Sequence, residues 1–136
     1  MSKHVTVGMD AFSRGIDELL GDIPNACGDA LETATTQSAR STAKKLRGEY
    51  TASIGRNPWS AEYRNGFSSH VERNGLNVTG EVGNRAKPGL VHLLEKGHAT
   101  LTERRTQAYP HMAPAFEDME DDFVKRASDA LGRVLE

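Results

Sequence analysis

The chain has 136 residues, one domain's worth, enough to bury roughly 70% of the surface its unfolded form would expose. Hydrophobic residues make up 37% and aromatics 6% against 26% charged, a lean composition for an enzyme that must enclose a pocket, so part of the burial is expected from neighbouring chains. A net charge of -2, from 17 basic and 19 acidic residues, excludes the broad positive field of nonspecific nucleic-acid binding.

Cys27 stands alone, so no internal disulfide is expected, and no apolar run nears the roughly 20 residues of a membrane span. Residues 1–10 lack the apolar stretch of a signal peptide. A soluble protein of a reducing cytoplasm is the expectation.

Phe12, Ile16, Leu19 and Leu20 recur at helical spacing and predict a short amphipathic helix over 10–20, closed by Gly21 and Pro24. Residues 25–50, rich in Ala, Thr, Ser, Gln and Lys, predict a second, long helix with a thin apolar face of Leu31, Ala34 and Leu46, filled in by Thr35, Ser38 and Thr42. So thin a face offsets little ordering entropy by itself. Arg40, Lys44, Lys45 and Arg47 make its end basic, either as favourable charge at the negative pole of the helix dipole or as a partner-contact patch.

Gly55 to Ser60 reads as a turn ending the helical region, with Trp59 and Tyr63 as core aromatics or an exposed contact. Phe67, Ser69 and Val71, then Leu76, Val78, Gly80 and Val82, alternate with polar residues, and Asn74-Gly75 between them suits a tight hairpin turn. Residues 83–89 form a polar connection. Leu90 to Lys96 reads as one or two helical turns closed by Gly97, and 98–109 as a long polar loop with a third strand near Thr106 to Tyr109. Residues 110–136 predict a helix opened by Pro114, with Phe116, Met119, Phe123, Ala127, Ala130, Leu131 and Val134 on its buried face. Its acids Glu117, Asp118, Glu120, Asp121 and Asp122 are placed in the first two turns. Phe116 and Phe123 are expected to anchor the core.

The segment His92-Leu-Leu-Glu95-Lys-Gly-His98 is the one arrangement inviting an enzyme reading, as a metal-dependent hydrolase. Its histidines stand six apart, about 240° round a helix, with Gly97 between them, so a shared metal site is not expected. No Gly-x-Ser-x-Gly elbow and no phosphate loop occurs, and Cys27 has no cationic neighbour in sequence to activate it. Arg104 and Arg105, after Glu103, are either a solvated loop tip or a local DNA contact.

The stretch Pro88-Gly-Leu-Val-His-Leu-Leu-Glu-Lys-Gly-His98, followed by Tyr109-Pro-His-Met-Ala-Pro-Ala-Phe116, resembles the tail-component, or putative morphogenesis, family of long-tailed phages. The matching positions are Leu94, Glu95, Gly97 and His98 in the first half and Pro110, His111, Pro114 and Ala115 in the second. Gly15, Asp17, Glu18 and Leu19 resemble that family's N-terminal helix, whereas residues 52–66 match no pattern.

The resemblance implies an α+β subunit of the virion neck or tail with no catalytic residues and no cofactor, made in the host cytoplasm: a tail-completion or head-tail connector protein. Its implied partners are further copies of itself in a ring, six-fold being one option, and a stopper, terminator or tail-tube protein, with transient DNA contact in the lumen and no membrane. Arg40, Lys44, Lys45 and Arg47 on one element and Glu117, Asp118, Asp121 and Asp122 on another would pair between neighbours. The rival readings are the hydrolase, tested by metal analysis, and a small regulatory or toxin-like binding module, tested by gene neighbours. The expected fold is a small antiparallel sheet with a hairpin, packed by a long N-terminal and a C-terminal helix.

Overall fold

The structure, a computed structural model, describes residues 9–102 and 104–136, including their side chains other than those of 9–12, 15–17, 19 and 20. Its elements are helix α1 (Met9–Leu46), helix α2 (Pro58–Asn65), strands β1 (Phe67–Asn74) and β2 (Asn77–Asn84), a 3₁₀ turn (Pro88–Leu90) leading into helix α3 (Val91–Lys96), and helix α4 (Met112–Val134). The β1-β2 hairpin and α4 both pack on α1, giving the expected α+β architecture. The stripe of Phe12, Ile16, Leu19 and Leu20, like Gly15 and Asp17, lies outside the described side chains.

α1 is one helix where two are expected. Pro24 sits inside it, where it lacks the N–H that would bond the Leu20 carbonyl and its ring crowds that carbonyl, yet the helix runs through it to Leu46. The helix also stops at Leu46, short of Tyr50. There the chain turns, Tyr50 N donating to Lys45 O at 3.0 Å and Thr51 Oγ1 to Leu46 O at 2.7 Å, so the last carbonyls are satisfied without another helical turn.

The thin face of α1 is deeply used. Ala34, Thr35, Ser38, Ala39, Thr42, Ala43 and Leu46 are all buried. Small side chains bring the neighbouring elements close, and the hydroxyls are satisfied locally: Thr35 donates to Leu31 O at 2.6 Å and Thr42 to Ser38 O at 2.8 Å. Ser38 reaches across to Met119 O at 3.3 Å. Gly80 completes the fit, since a Cβ there would stand 2.6 Å from Thr35 Cγ2.

α2 falls where only a turn is expected. Asn57 accepts from Ser60 N at 3.0 Å and Pro58 occupies the first turn, the pairing of cap residue and proline that starts helices. Of its two aromatics, Tyr63 is fully buried and Trp59 is 42% exposed.

The hairpin forms with Phe67 opposite Asn84 and Asn74 opposite Asn77. The turn therefore consists of Gly75 and Leu76, one position later than Asn74-Gly75. Gly75 takes φ +64°, which places the residue without a Cβ at the position that needs it. Among the described residues no third strand joins the pair. In place of one, Ala99 and Arg105 form an isolated bridge, because Thr106 N donates to His98 O and Tyr109 N to Leu94 O, which ties the loop to α3.

The core gathers at the C-terminal end of α1, where Leu46, Ile54, Tyr63, Phe67, Val82 and Ala115 meet. Phe116 does not anchor it. It is 38% exposed, and Ala115 and Ala127 are the buried residues of α4, because the small-residue face of α1 draws α4 too close for a ring at the contact. Phe123 is half-buried. Phe116→Ala is thus expected to cost no more than about 1 kcal/mol in a chemical denaturation series, well below the loss at a buried phenylalanine.

Candidate functional site

α3 ends at Gly97, which takes φ +70°. That turn leaves Glu95, only 14% exposed, facing the start of α4. Its Oε2 accepts from His111 N at 2.8 Å and Met112 N at 2.9 Å, and its Oε1 from Ala113 N at 2.9 Å. The cap residue of α4, His111, supplies no side-chain cap of its own, so Glu95 caps the helix from another element. Burial pushes the Glu95 carboxyl up, but the backbone N–H groups of His111, Met112 and Ala113 pull harder and hold it below the usual carboxylate range.

His111 is 1% exposed and Tyr63 completely enclosed. His111 Nδ1 lies 2.6 Å from Tyr109 O and 3.1 Å from Glu95 Oε2. Both are acceptors, so Nδ1 carries a proton. Nε2 then accepts from the Tyr63 hydroxyl at 2.6 Å in the neutral imidazole. Burial, with the Glu95 charge, raises the Tyr63 phenol far above its ordinary value. The rings of Tyr63, Phe67 and His111 meet edge to face at 5.2 to 5.9 Å, a favourable aromatic geometry. Asn84 closes the cluster by donating to Tyr63 O at 2.5 Å and accepting from Lys87 N at 2.8 Å.

A tyrosine, a histidine and a carboxylate in hydrogen-bonded line have the parts of a proton relay. Enclosure decides against that use, since the imidazole and phenol have no surface to offer a substrate and each polar atom is engaged. The arrangement can bear load. It joins α2, β1, α3 and α4 at one point and satisfies the end of the longest buried contact.

The structure brings the segments 88–98 and 109–116 together here. Leu94 O accepts from Tyr109 N at 2.6 Å, Glu95 caps α4, Gly97 packs under Thr106, and Ala115 is 1% exposed in the core. Pro110 is exposed and Pro114 half-buried in the first turn of α4. A Cβ on Gly97 would lie 2.4 Å from Thr106 O, so Gly97→Ala, strained in φ as well, is expected to cost about 2–4 kcal/mol by thermal melting.

His92 and His98 stay apart from Glu95. His92 is exposed, His98 Nδ1 lies 3.1 Å from Thr106 Oγ1, and both Glu95 oxygens are turned to α4. Among the described residues no group of three or more His, Cys, Asp or Glu is arranged to hold a metal. Cys27 is half-buried on α1.

The charge clusters expected to pair between subunits are partly used inside one. Burial, together with the hydrogen bond the Tyr50 hydroxyl donates to Asp118, raises that phenol to about 12. Asp122 pairs with Arg126 at 2.8 Å; burial raises its carboxyl, but Arg126, Ser38 and Lys45 outweigh this and hold it low. Arg47 donates to Phe67 O at 2.8 Å. α4 lies against α1 in the same chain, which brings Asp118 to Tyr50 and Asp122 near Lys45, while Asp122 pairs within α4 and Arg47 bonds to β1. Arg40, Lys44, Glu117 and Asp121 remain exposed. The acidic run also starts beyond the first turn of α4, which holds no acid of its own.

Arg105 is tied back to Gly97 O at 3.2 Å and Lys96 O at 3.4 Å. Arg104 is exposed, and Glu103 lies outside the described residues. Sequence reasoning missed Arg73. Its guanidinium binds Asp29 and, at 3.3 Å, Glu32, and donates to Gly75 O at 2.9 Å and Asn25 O at 3.4 Å, fastening the hairpin tip to α1 over Gly28. An arginine inside an alternating strand was the available signal.

Two concavities flank this framework. One, of about 630 Å³, lies on the hairpin beside Phe116, with His70, Glu81 and Arg85 in its lining. The other, of about 270 Å³, lies between α1, β2 and α4, lined by Thr35, Ala39, Val78, Met119, Glu120 and Phe123. Among the described residues no helix is long and apolar enough to cross a membrane. Comparison with protein-family models, curated proteins and solved structures finds no match for this chain.

Proposed function

We propose that this chain is a structural virion protein of a long-tailed phage, a minor tail or neck protein of the tail-completion or head-tail connector kind, which works as one subunit of a homo-oligomeric ring and catalyses no reaction. The observation supporting this reading is the junction of Glu95 with the N–H groups of His111, Met112 and Ala113. The two sequence segments that resemble the phage family are separated by a long loop, and here they are one mechanical unit. Their residue types suit a helix cap, a positive-φ stop and a close-packed opening turn. Chemistry is not needed to account for them.

The same reading fits the peripheral features. Exposed Arg40, Lys44, Glu117 and Asp121 remain for pairing between neighbours, and the 98–109 loop carries Arg104 at the surface, where a stopper, a tube protein or lumenal DNA is the expected contact. Electron microscopy of the purified chain and of particles carrying it tests the proposal. Rings in solution, or a ring at the neck that is missing from particles made without the gene, are expected. Particles that assemble and join tails normally without the chain would overturn it.

A further inference from the structure

The tip of the 98–109 loop is a built projection. Ala99 and Arg105 bridge across it, Thr100 N donates to Arg104 O at 2.7 Å and Thr106 N to His98 O at 2.8 Å. The Thr100 hydroxyl donates to the same Arg104 carbonyl at 2.8 Å and lies 3.0 Å from the Thr102 hydroxyl. On this frame Leu101 is fully exposed, a large apolar side chain that packs on nothing in its own chain. Because the backbone beneath it is already held, burying it against a partner costs little further ordering entropy.

The smaller concavity, between α1, β2 and α4, has the complementary form. Ala39, Val78, Met119 and Phe123 make its lining mostly apolar, its volume of about 270 Å³ has room for one large apolar side chain, and its one charged residue is Glu120. Gly80 lines this concavity and the wider one alike, so the two adjoin and leave space for a loop behind the inserted side chain. Charge agrees as well. From Phe116 to Phe123, α4 carries Glu117, Asp118, Glu120, Asp121 and Asp122 and no base; Asp118 and Asp122 are engaged by Tyr50 and Arg126, and Glu117, Glu120 and Asp121 remain exposed. The loop tip carries exposed Arg104 and Arg105 against Glu103. Leu101 lines neither concavity of its own chain.

We propose that Leu101 of one copy seats in the concavity of Ala39, Val78, Met119 and Phe123 of the next, with Arg104 beside Glu120. Knob and socket lie on different parts of the chain, so every copy offers one of each. The contact is therefore head to tail, the kind that closes into a ring when the rotation per subunit allows. This inference rests on the ring reading and supplies its interface.

The test uses the full-length chain. With Leu101→Cys and Glu120→Cys together in a Cys27→Ser background, a short bismaleimide is expected to give a ladder of covalent multimers above the 14.8 kDa chain; either cysteine alone gives no species beyond a dimer. Leu101→Asp removes no internal contact, so it is expected to keep the circular-dichroism spectrum and thermal midpoint while weakening self-association in light scattering by about tenfold or more. Arg104→Glu should weaken it too, and Arg104→Glu with Glu120→Arg should restore it. Oligomers that form without the ladder, or are indifferent to Leu101→Asp, overturn the docked leucine and leave the ring reading standing. Leu101→Asp that leaves oligomers intact but stops tails from joining gives the loop tip to a stopper or tube protein and likewise overturns the docking. A ladder from open filaments that never close supports the docking and overturns the ring. A chain that stays monomeric at its highest soluble concentration and gives no ladder overturns both.

Discussion

Glu95→Ala is expected to lower the stability of the fold by about 3 kcal/mol, roughly 10 °C in the thermal midpoint of a chain this size. Three backbone N–H groups at the start of α4 lose a charged acceptor, and the positive pole of a 23-residue helix loses its counter-charge. Glu95→Gln keeps an oxygen but not the charge or the second acceptor, so it should recover part of the loss. The pH dependence has a defined sign. The folded carboxyl titrates below its ordinary value of 4.5, so its contribution is fully present above about pH 4.5 and is lost as the pH falls through the folded pKa. Urea titrations of wild type and Glu95→Gln between pH 3 and 7 check this: the wild type should fall more steeply on the acid side, and parallel curves would remove the charge from the account.

Phe67→Ala should cost about 3–5 kcal/mol. Phe67 is 2% exposed and meets both Tyr63 and His111 edge to face, so truncation opens a cavity at the point where four elements join. Tyr63→Phe isolates the polar part of the same cluster. It leaves His111 Nε2 buried without its donor, an expected loss of about 1–3 kcal/mol with little change in packing. If denaturation gave equal, small effects for Phe67→Ala and Phe116→Ala, the core would have been misplaced.

Periodicity carried the reading of the hairpin, α3 and α4, because each has a sequence pattern of its own: alternation in residues 67–82, a compact apolar run before Gly97, a helical stripe after Pro110. It failed where the deciding force comes from elsewhere. Pro24 looks like a stop, yet its missing bond and the crowding of its ring are outweighed over the length of a 38-residue helix. Phe116 looks like core, yet the close approach set by Ala39 and Ala43 on α1 puts Ala115 at the contact and turns the ring to the edge. α2 is short and its one buried aromatic shows no period, although Asn57-Pro58 was a readable start. The family resemblance pointed to Glu95 and His111 but not to their junction, since a carboxylate that caps a helix 16 residues later leaves no local signature.

The 98–109 loop is tied to α3 by Thr106 N to His98 O, Tyr109 N to Leu94 O and Arg105 to Gly97 O, so a change of sequence between Ala99 and Arg104 leaves those three bonds in place. Lengthening it adds closure entropy only logarithmically and disturbs no buried group. Recombinants that exchange residues 99–104 alone, keeping Thr106 and Tyr109 with their bonds to His98, Leu94 and His111, would therefore inherit the scaffold and differ in what they touch, which makes that stretch a part of the molecule where fit to a new neighbour can change at low cost.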